Sequence, residues 1–168
     1  MGTTTFTGAV RSESTMKTVS KNATTGTITE VTTIGDAPVS LADEDVTLTN
    51  ATHSGRILLV PDGGQDNTYT LPAPIAGSVF RFVYAGGAAD ATDAIILTPG
   101  NTNFYVGGVT FLDTDNEVSA VFSDGDSNSS IQMNVPAGFD ITIVGKDSTN
   151  YQIFGTVTGT TAPAFADQ

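Results

Sequence analysis

The feature that most constrains this chain is the even spacing of its short apolar runs, each too brief for a helix and each closed by turn residues. From residue 46 onward they follow as VTLT (46–49), RILLV (56–60), TYTL (68–71), VFRFVY (79–84) and AIILT (94–98). NFYVGGVTFL (103–112), VSAVFS (118–123), SIQMNV (130–135), FDITIVG (139–145) and YQIFGTVT (151–158) complete the series. Runs of this length, rich in Val, Ile, Thr and aromatic residues, read as strands. The segments between them, such as PDGGQDN, SDGDSN and KDSTN, are turn chemistry and leave no room for a long helix. About nine or ten strands at this spacing predict an all-β domain: a single β-sandwich or a small barrel, jelly-roll or tulip-like.

Alternation within the runs sorts the side chains by face. Ile141, Ile143 and Ile153 point inward, as do Phe80, Phe82 and Tyr84, while Arg81 falls on the opposite face, exposed or paired with a carboxylate. In TLPAPIAG, Pro72 and Pro74 stop strand pairing after Leu71 and Gly77 permits the reversal into VFRFVY, so this segment is a turn. The aromatic residues Phe104, Tyr105, Phe111, Phe122, Phe139, Tyr151 and Phe154 lie mostly inside alternating strands, which predicts core packing in preference to a sugar-stacking platform.

The first 35 residues differ from the rest. Isolated apolar residues stand among Thr and Ser, giving high β-propensity with too little apolar density for a core. TITEVTTI (27–34) alternates cleanly, which suits strand addition to another chain. Residues 1–35 are therefore expected to be an extended arm, spanning on the order of 110 Å if fully stretched, and residues 36–168 the all-β body. Pro38 and the Asp43, Glu44, Asp45 cluster mark a linker followed by a turn.

Charge sharpens the contrast. The chain carries six basic and eighteen acidic residues, net −12. Residues 1–35 hold Arg11, Lys17 and Lys21 against Glu13 and Glu30, net +1, which leaves −13 for residues 36–168. So acidic a body disfavours nucleic acid and anionic membranes as partners. There is no cysteine, hence neither a disulfide framework nor a thiolate zinc site, and packing or oligomerisation must supply stability. No apolar stretch reaches membrane-helix length, and MGTTTFTGAVRSES lacks the blocks of a signal peptide.

Motifs for chemistry are sparse. His53 beside Ser54, in what reads as a hairpin turn, has no nucleophile-elbow context, and no catalytic residues are expected. Asp124, Asp126, Asn128 and Ser130 recur at alternate positions like the first ligands of a calcium loop. The sixth position is Ser129 where Gly is needed and the twelfth is Val135 where Glu is needed, so no metal or other cofactor is expected. Asp124, Asp126 and Asn128 are the weak candidates for a looser oxygen site, joined by Asp113, Asp115 and Glu117, with Asp62 and Asp66 as another place for one. Asp113 and Asp115 could face one side of a strand as paired carboxylates, with nothing in the pattern to form a cleft around them.

RILLVPDGGQDNTYTLPAPIAGSVFRFVYAG (56–86), the AIILTPGN strand, the GG-containing strand before FLDTDNEVSAVF, the final YQIFGTVTG and the N-terminal TFTGAVRSES together resemble capsid decoration (cement or head-fibre) proteins of tailed bacteriophages, of the marine or cyanophage type. The resemblance implies a non-enzymatic virion protein, usually a homotrimer, on the outer surface of the capsid and clamping neighbouring major capsid subunits. On that basis Phe6, Val10, Arg11, Lys17 and Lys21 are expected to contact capsid, as apolar anchors and as cations for carboxylates. Phe111 and Phe165 are the expected trimer contacts. A receptor-binding or adhesin domain of a fibre or spike would use the same β vocabulary and is the alternative.

Overall fold

The computed structural model describes residues 18–22, 24–31, 37–87, 91–115 and 117–168, and the chain divides into two units, Met1–Ala37 and Pro38–Gln168. In the first, β1 (Thr18–Lys21) and β2 (Ile28–Val31) pair antiparallel, Thr18 opposite Val31 and Lys21 opposite Ile28. The Asn22 side chain shapes their turn: its Oδ1 accepts from the backbone N–H groups of Thr24 and Thr25 at 2.9 and 3.0 Å. The Asn22 carbonyl then accepts from Gly26, whose φ of +72° lies in the left-handed region that glycine enters without steric cost. Residues 28–31 of TITEVTTI are thus paired with β1 inside their own unit.

In the second unit the chain runs through β3 (Val39–Ser40), β4 (Val46–Thr47), the single-turn α1 (Asn50–His53), β5 (Arg56–Val60), β6 (Asn67–Thr70), β7 (Val79–Tyr84) and β8 (Ala94–Leu97). It continues with β9 (Phe104–Asp113), β10 (Val118–Phe122), β11 (Ser130–Met133), β12 (Pro136–Gly145), β13 (Asn150–Gly159) and β14 (Ala164–Ala166). Seven strands form one sheet in the order β10-β9-β13-β12-β7-β5-β3, and five form another in the order β14-β11-β8-β6-β4.

The path through the first half is a coil. Strands β3, β5 and β7 lie parallel in the seven-stranded sheet, and β4, β6 and β8 lie parallel in the other. Every connection from β3 to β8 therefore crosses between sheets, and a strand of the opposite sheet serves as the crossover that parallel pairing requires. The second half is mostly antiparallel: β9 with β10, β12 with both β7 and β13, and β11 with both β8 and β14. One further parallel pair joins β9 to β13.

This arrangement refines the expected fold. The described residues are nearly all β; those of the compact unit form two mixed sheets that do not close into a barrel, and the parallel coil departs from a jelly roll, whose strands run antiparallel. Twelve strands are present among the described residues of this unit, where nine or ten were expected. The additional ones, β3 and β14, have two and three residues, too few to show alternation. His53 ends α1 on the crossover from β4 to β5, and not in a hairpin.

Both sheets contribute to one core. Phe80, Phe82, Ile141, Ile143 and Ile153 are fully buried in the larger sheet, and Tyr69, Ile96, Ile131 and Met133 in the smaller. Tyr69 meets Phe82 across the interior with ring centroids 6.4 Å apart. Tyr84 is only partly buried and donates its hydroxyl to Asp62 at 3.0 Å. The TLPAPIAG turn behaves as its residues dictate: Gly77 takes φ +86° and its N–H donates to the Gly145 carbonyl at 2.8 Å. Among the described residues no helix is long and apolar enough to cross a membrane.

Candidate functional site

The polar residues with a potential for chemistry are engaged in holding turns. His53 Nδ1 accepts from the Thr49 backbone N–H at 3.0 Å, closing α1 on its own N-cap residue. Asp124 accepts from the Ser127 hydroxyl and from the backbone N–H groups of Asp126, Ser127 and Asn128. The Ser127 hydroxyl and those N–H groups hold its carboxyl down to about 2. Asn128 returns the bond, accepting from the Asp124 N–H at 2.9 Å. Asp113 ends β9 while Asp115 lies in the following turn, its N–H donating to Asp113, so the two do not share a strand face. Asp43 accepts from Asn67 at 2.7 Å and from Gly64 N–H at 3.0 Å, and these bonds lower its pKa. Among the described residues no three His, Cys, Asp or Glu side chains converge to hold a metal ion.

The more unusual feature is the outer face of the seven-stranded sheet. Because Phe80, Phe82, Ile141, Ile143 and Ile153 point into the core, the intervening residues point out. Strand register lines them up: Ile57 opposite Arg81, Arg81 opposite Thr142, and Thr142 opposite Phe154. At the far side Phe122 is opposite Gly108, and Val118 opposite Leu112. A Cβ on Gly108 would sit 2.8 Å from Phe122 Cδ1 and would clash with the Val121 carbonyl. Only glycine lets β10 and its Phe122 ring approach so closely.

Five of the six large apolar side chains exposed among the described residues belong to this face: Ile57, Leu112 and Phe154, and above all Val118 and Phe122, both 71% exposed. Arg81 and Asp140 are the only charged residues at its outward strand positions, and they neutralise each other through two bonds, Nε to Oδ1 at 2.9 Å and Nη2 to Oδ2 at 2.6 Å. The pairing raises the Arg81 pKa and lowers that of Asp140. With Thr142, Phe154, Gly155 and Thr156 the pair lines a shallow depression of about 350 Å³. Within a chain of net charge −12, this face is apolar, hydroxyl-bearing and electrically neutral.

The residues expected at contacts fare unevenly. Phe6, Val10, Arg11 and Lys17 lie outside the described residues, and Lys21 is described only as the last backbone position of β1. Phe111 is buried, and Phe165 packs on the core with its ring 6.1 Å from that of Tyr105. Phe165 stays partly exposed. Phe122 and Phe154, expected in the core, are instead exposed, because each sits at an outward position of its strand. The sequence signal for this face is VSAVF, five residues without a charge, a proline or a glycine. No protein family matches the chain, and no curated protein is similar to it.

Proposed function

We propose that the chain is a non-enzymatic decoration protein of a tailed-phage capsid, bound to major capsid protein on the outer surface of the head and stabilising contacts between its subunits. The observation that carries this reading is the division into a threonine-rich N-terminal unit with no net charge and a separate compact unit that carries the whole net charge of −12. A near-neutral β-forming segment suits strand pairing and apolar contact with a shell, while an acidic body repels its neighbours in solution and limits aggregation. Phe6, Val10, Arg11, Lys17 and Lys21 are the contacts assigned to that segment. Repetition over a lattice turns individually weak contacts into lasting attachment.

The test is co-sedimentation of the full chain, and of a version beginning at Pro38, with expanded capsids of the phage that encodes it, followed by heating. Binding in amounts matching surface lattice sites, a higher rupture temperature, and loss of both on truncation are expected. If neither form binds capsid, the reading is wrong. A second reading, an adhesin domain of a fibre or spike, draws on one observation: the half-exposed Phe154 ring stands beside the Arg81–Asp140 pair and the Thr142 and Thr156 hydroxyls. An aromatic face flanked by fixed hydrogen-bonding groups suits a sugar ring, and glycan-array binding abolished by Phe154→Ala would favour it.

A further inference from the structure

We propose that the free edge of β10 docks onto β10 of a second copy of this chain, the two strands running antiparallel about a two-fold axis through Ala120. This goes beyond the decoration reading and does not depend on it.

Sheet edges invite pairing with other chains, and proteins usually blunt them with short strands, charges, proline or bulges. Among the described residues, three of the four edges of the two sheets are short: β3 and β4 have two residues each and β14 has three. The fourth, β10, has five, Val118-Ser119-Ala120-Val121-Phe122, with none of the protective devices.

Its hydrogen-bonding groups point the right way. Asp113 N–H donates to the Glu117 carbonyl at 2.9 Å and Ser123 N–H to the Gly107 carbonyl at 3.0 Å, so odd-numbered residues along this strand bond to β9. By antiparallel alternation, Val118, Ala120 and Phe122 turn their N–H and C=O groups to the free edge. The same three residues are exposed on the outer face.

Charge and register choose the occupant. Most of this surface would attract a basic partner, but residues 118–122 and the face behind them offer no unpaired charge to one. Two-fold pairing about Ala120 sets Val118 opposite Phe122 of the partner, small Ala120 opposite itself, and Ser119 opposite Val121. Large apolar side chains meet across the edge and flank a small centre. Glu117 falls opposite Ser123, so carboxylate does not face carboxylate. The apolar patch formed with Leu112 and Phe154 then continues from one copy to the next. Because each copy is strongly acidic, their general repulsion opposes association and is relieved by salt. A two-fold pairing of this kind makes dimers, not the trimer the family resemblance implies.

The experiment is sedimentation equilibrium of the full chain at low and at 1 M salt, repeated with Ala120→Lys. A dimer that tightens with salt is expected, and Ala120→Lys should abolish it while leaving the unfolding temperature of the monomer near the parent value, since Ala120 is exposed. Register is read with Ala120→Cys, the parent having no cysteine. Paired Ala120 positions would lie about 5.5 Å apart, within disulfide reach, whereas two copies of Val118→Cys would be separated by roughly 14 Å. Ala120→Cys should therefore form a covalent dimer on mild oxidation and Val118→Cys should not. A monomer at concentrations up to about 100 µM, a trimer, a dimer indifferent to Ala120→Lys, or association weakened by salt would each overturn the proposal. The last would point instead to the arm cations binding an acidic body.

Discussion

Replacing Tyr69 by Phe should stabilise the protein, although it removes a polar group from the centre of the fold. Tyr69 is fully buried on β6, and its hydroxyl has no hydrogen-bond partner among the described protein groups. Asn67, the neighbouring polar side chain that pulls the Tyr69 pKa down against the effect of burial, does not reach hydrogen-bond geometry with it; its Nδ2 donates to Asp43 at 2.7 Å and its Oδ1 accepts from Gln65 at 3.4 Å. An unsatisfied buried hydroxyl costs about 1–3 kcal/mol, and Phe keeps the ring and its contact with Phe82. Tyr69→Phe is therefore expected to raise the unfolding free energy by about 1–2 kcal/mol, a gain of roughly 3–6 °C for a unit of this size. Tyr105→Phe is the control: that hydroxyl, equally buried, donates to the Ile96 carbonyl at 3.1 Å, and its loss should cost about 1 kcal/mol. Paired urea titrations and calorimetry of the two variants give the comparison. A loss in Tyr69→Phe as large as that in Tyr105→Phe refutes the reasoning and places a bound water in the small cavity, about 10 Å³, lined in part by Tyr69, Asn67 and Asp93.

Two further outcomes follow from the same geometry. Gly155→Ala should destabilise by at least about 2 kcal/mol, because Gly155 holds φ +147° and an added Cβ would press on the Asp140 carbonyl and lie 2.8 Å from Ile141 Cα; Gly138→Ala on β12, where a Cβ meets nothing within 4 Å, should be near neutral, and equal effects in denaturant titrations would contradict this. Burial raises Tyr69 to about 12 and pushes Tyr105 and Tyr151 upward as well, so above pH 10 the unfolded chain ionises while the native state stays protonated, and stability measured by urea unfolding should be intact below pH 10 and fall steadily above it; a flat profile to pH 11.5 would show that these hydroxyls are not shielded.

Strand positions were legible because they depend on neighbours in sequence. The run VFRFVY matches β7 residue for residue, and its parity put Arg81 on the face where it meets Asp140. Partners were not legible, because pairing depends on which connections turn back and which cross over. The stretches 41–45, 48–55, 61–66 and 71–78 are rich in turn residues and read equally well as loops of hairpins. They are nonetheless long beside the two-residue loops that tight hairpins prefer, and crossing between stacked sheets takes a span of about 10 Å. Loop length was thus the available sign of the coil. The exposure of Phe122 and Phe154 escaped for a related reason: alternation assigns side chains to two faces without saying which face a second sheet will cover. That VSAVF would end at a sheet edge follows from the sheet order alone, which is set by contacts remote in sequence.

The order of the seven-stranded sheet has a mechanical consequence. The chain enters the compact unit at Pro38 and joins this sheet at β3, while β10 closes the opposite side. Six interstrand spacings separate them, roughly 29 Å. A partner strand held at β10 would therefore lie a full sheet width from the strand by which the chain enters, and load passing from that entry strand to such a partner would cross every strand of the sheet.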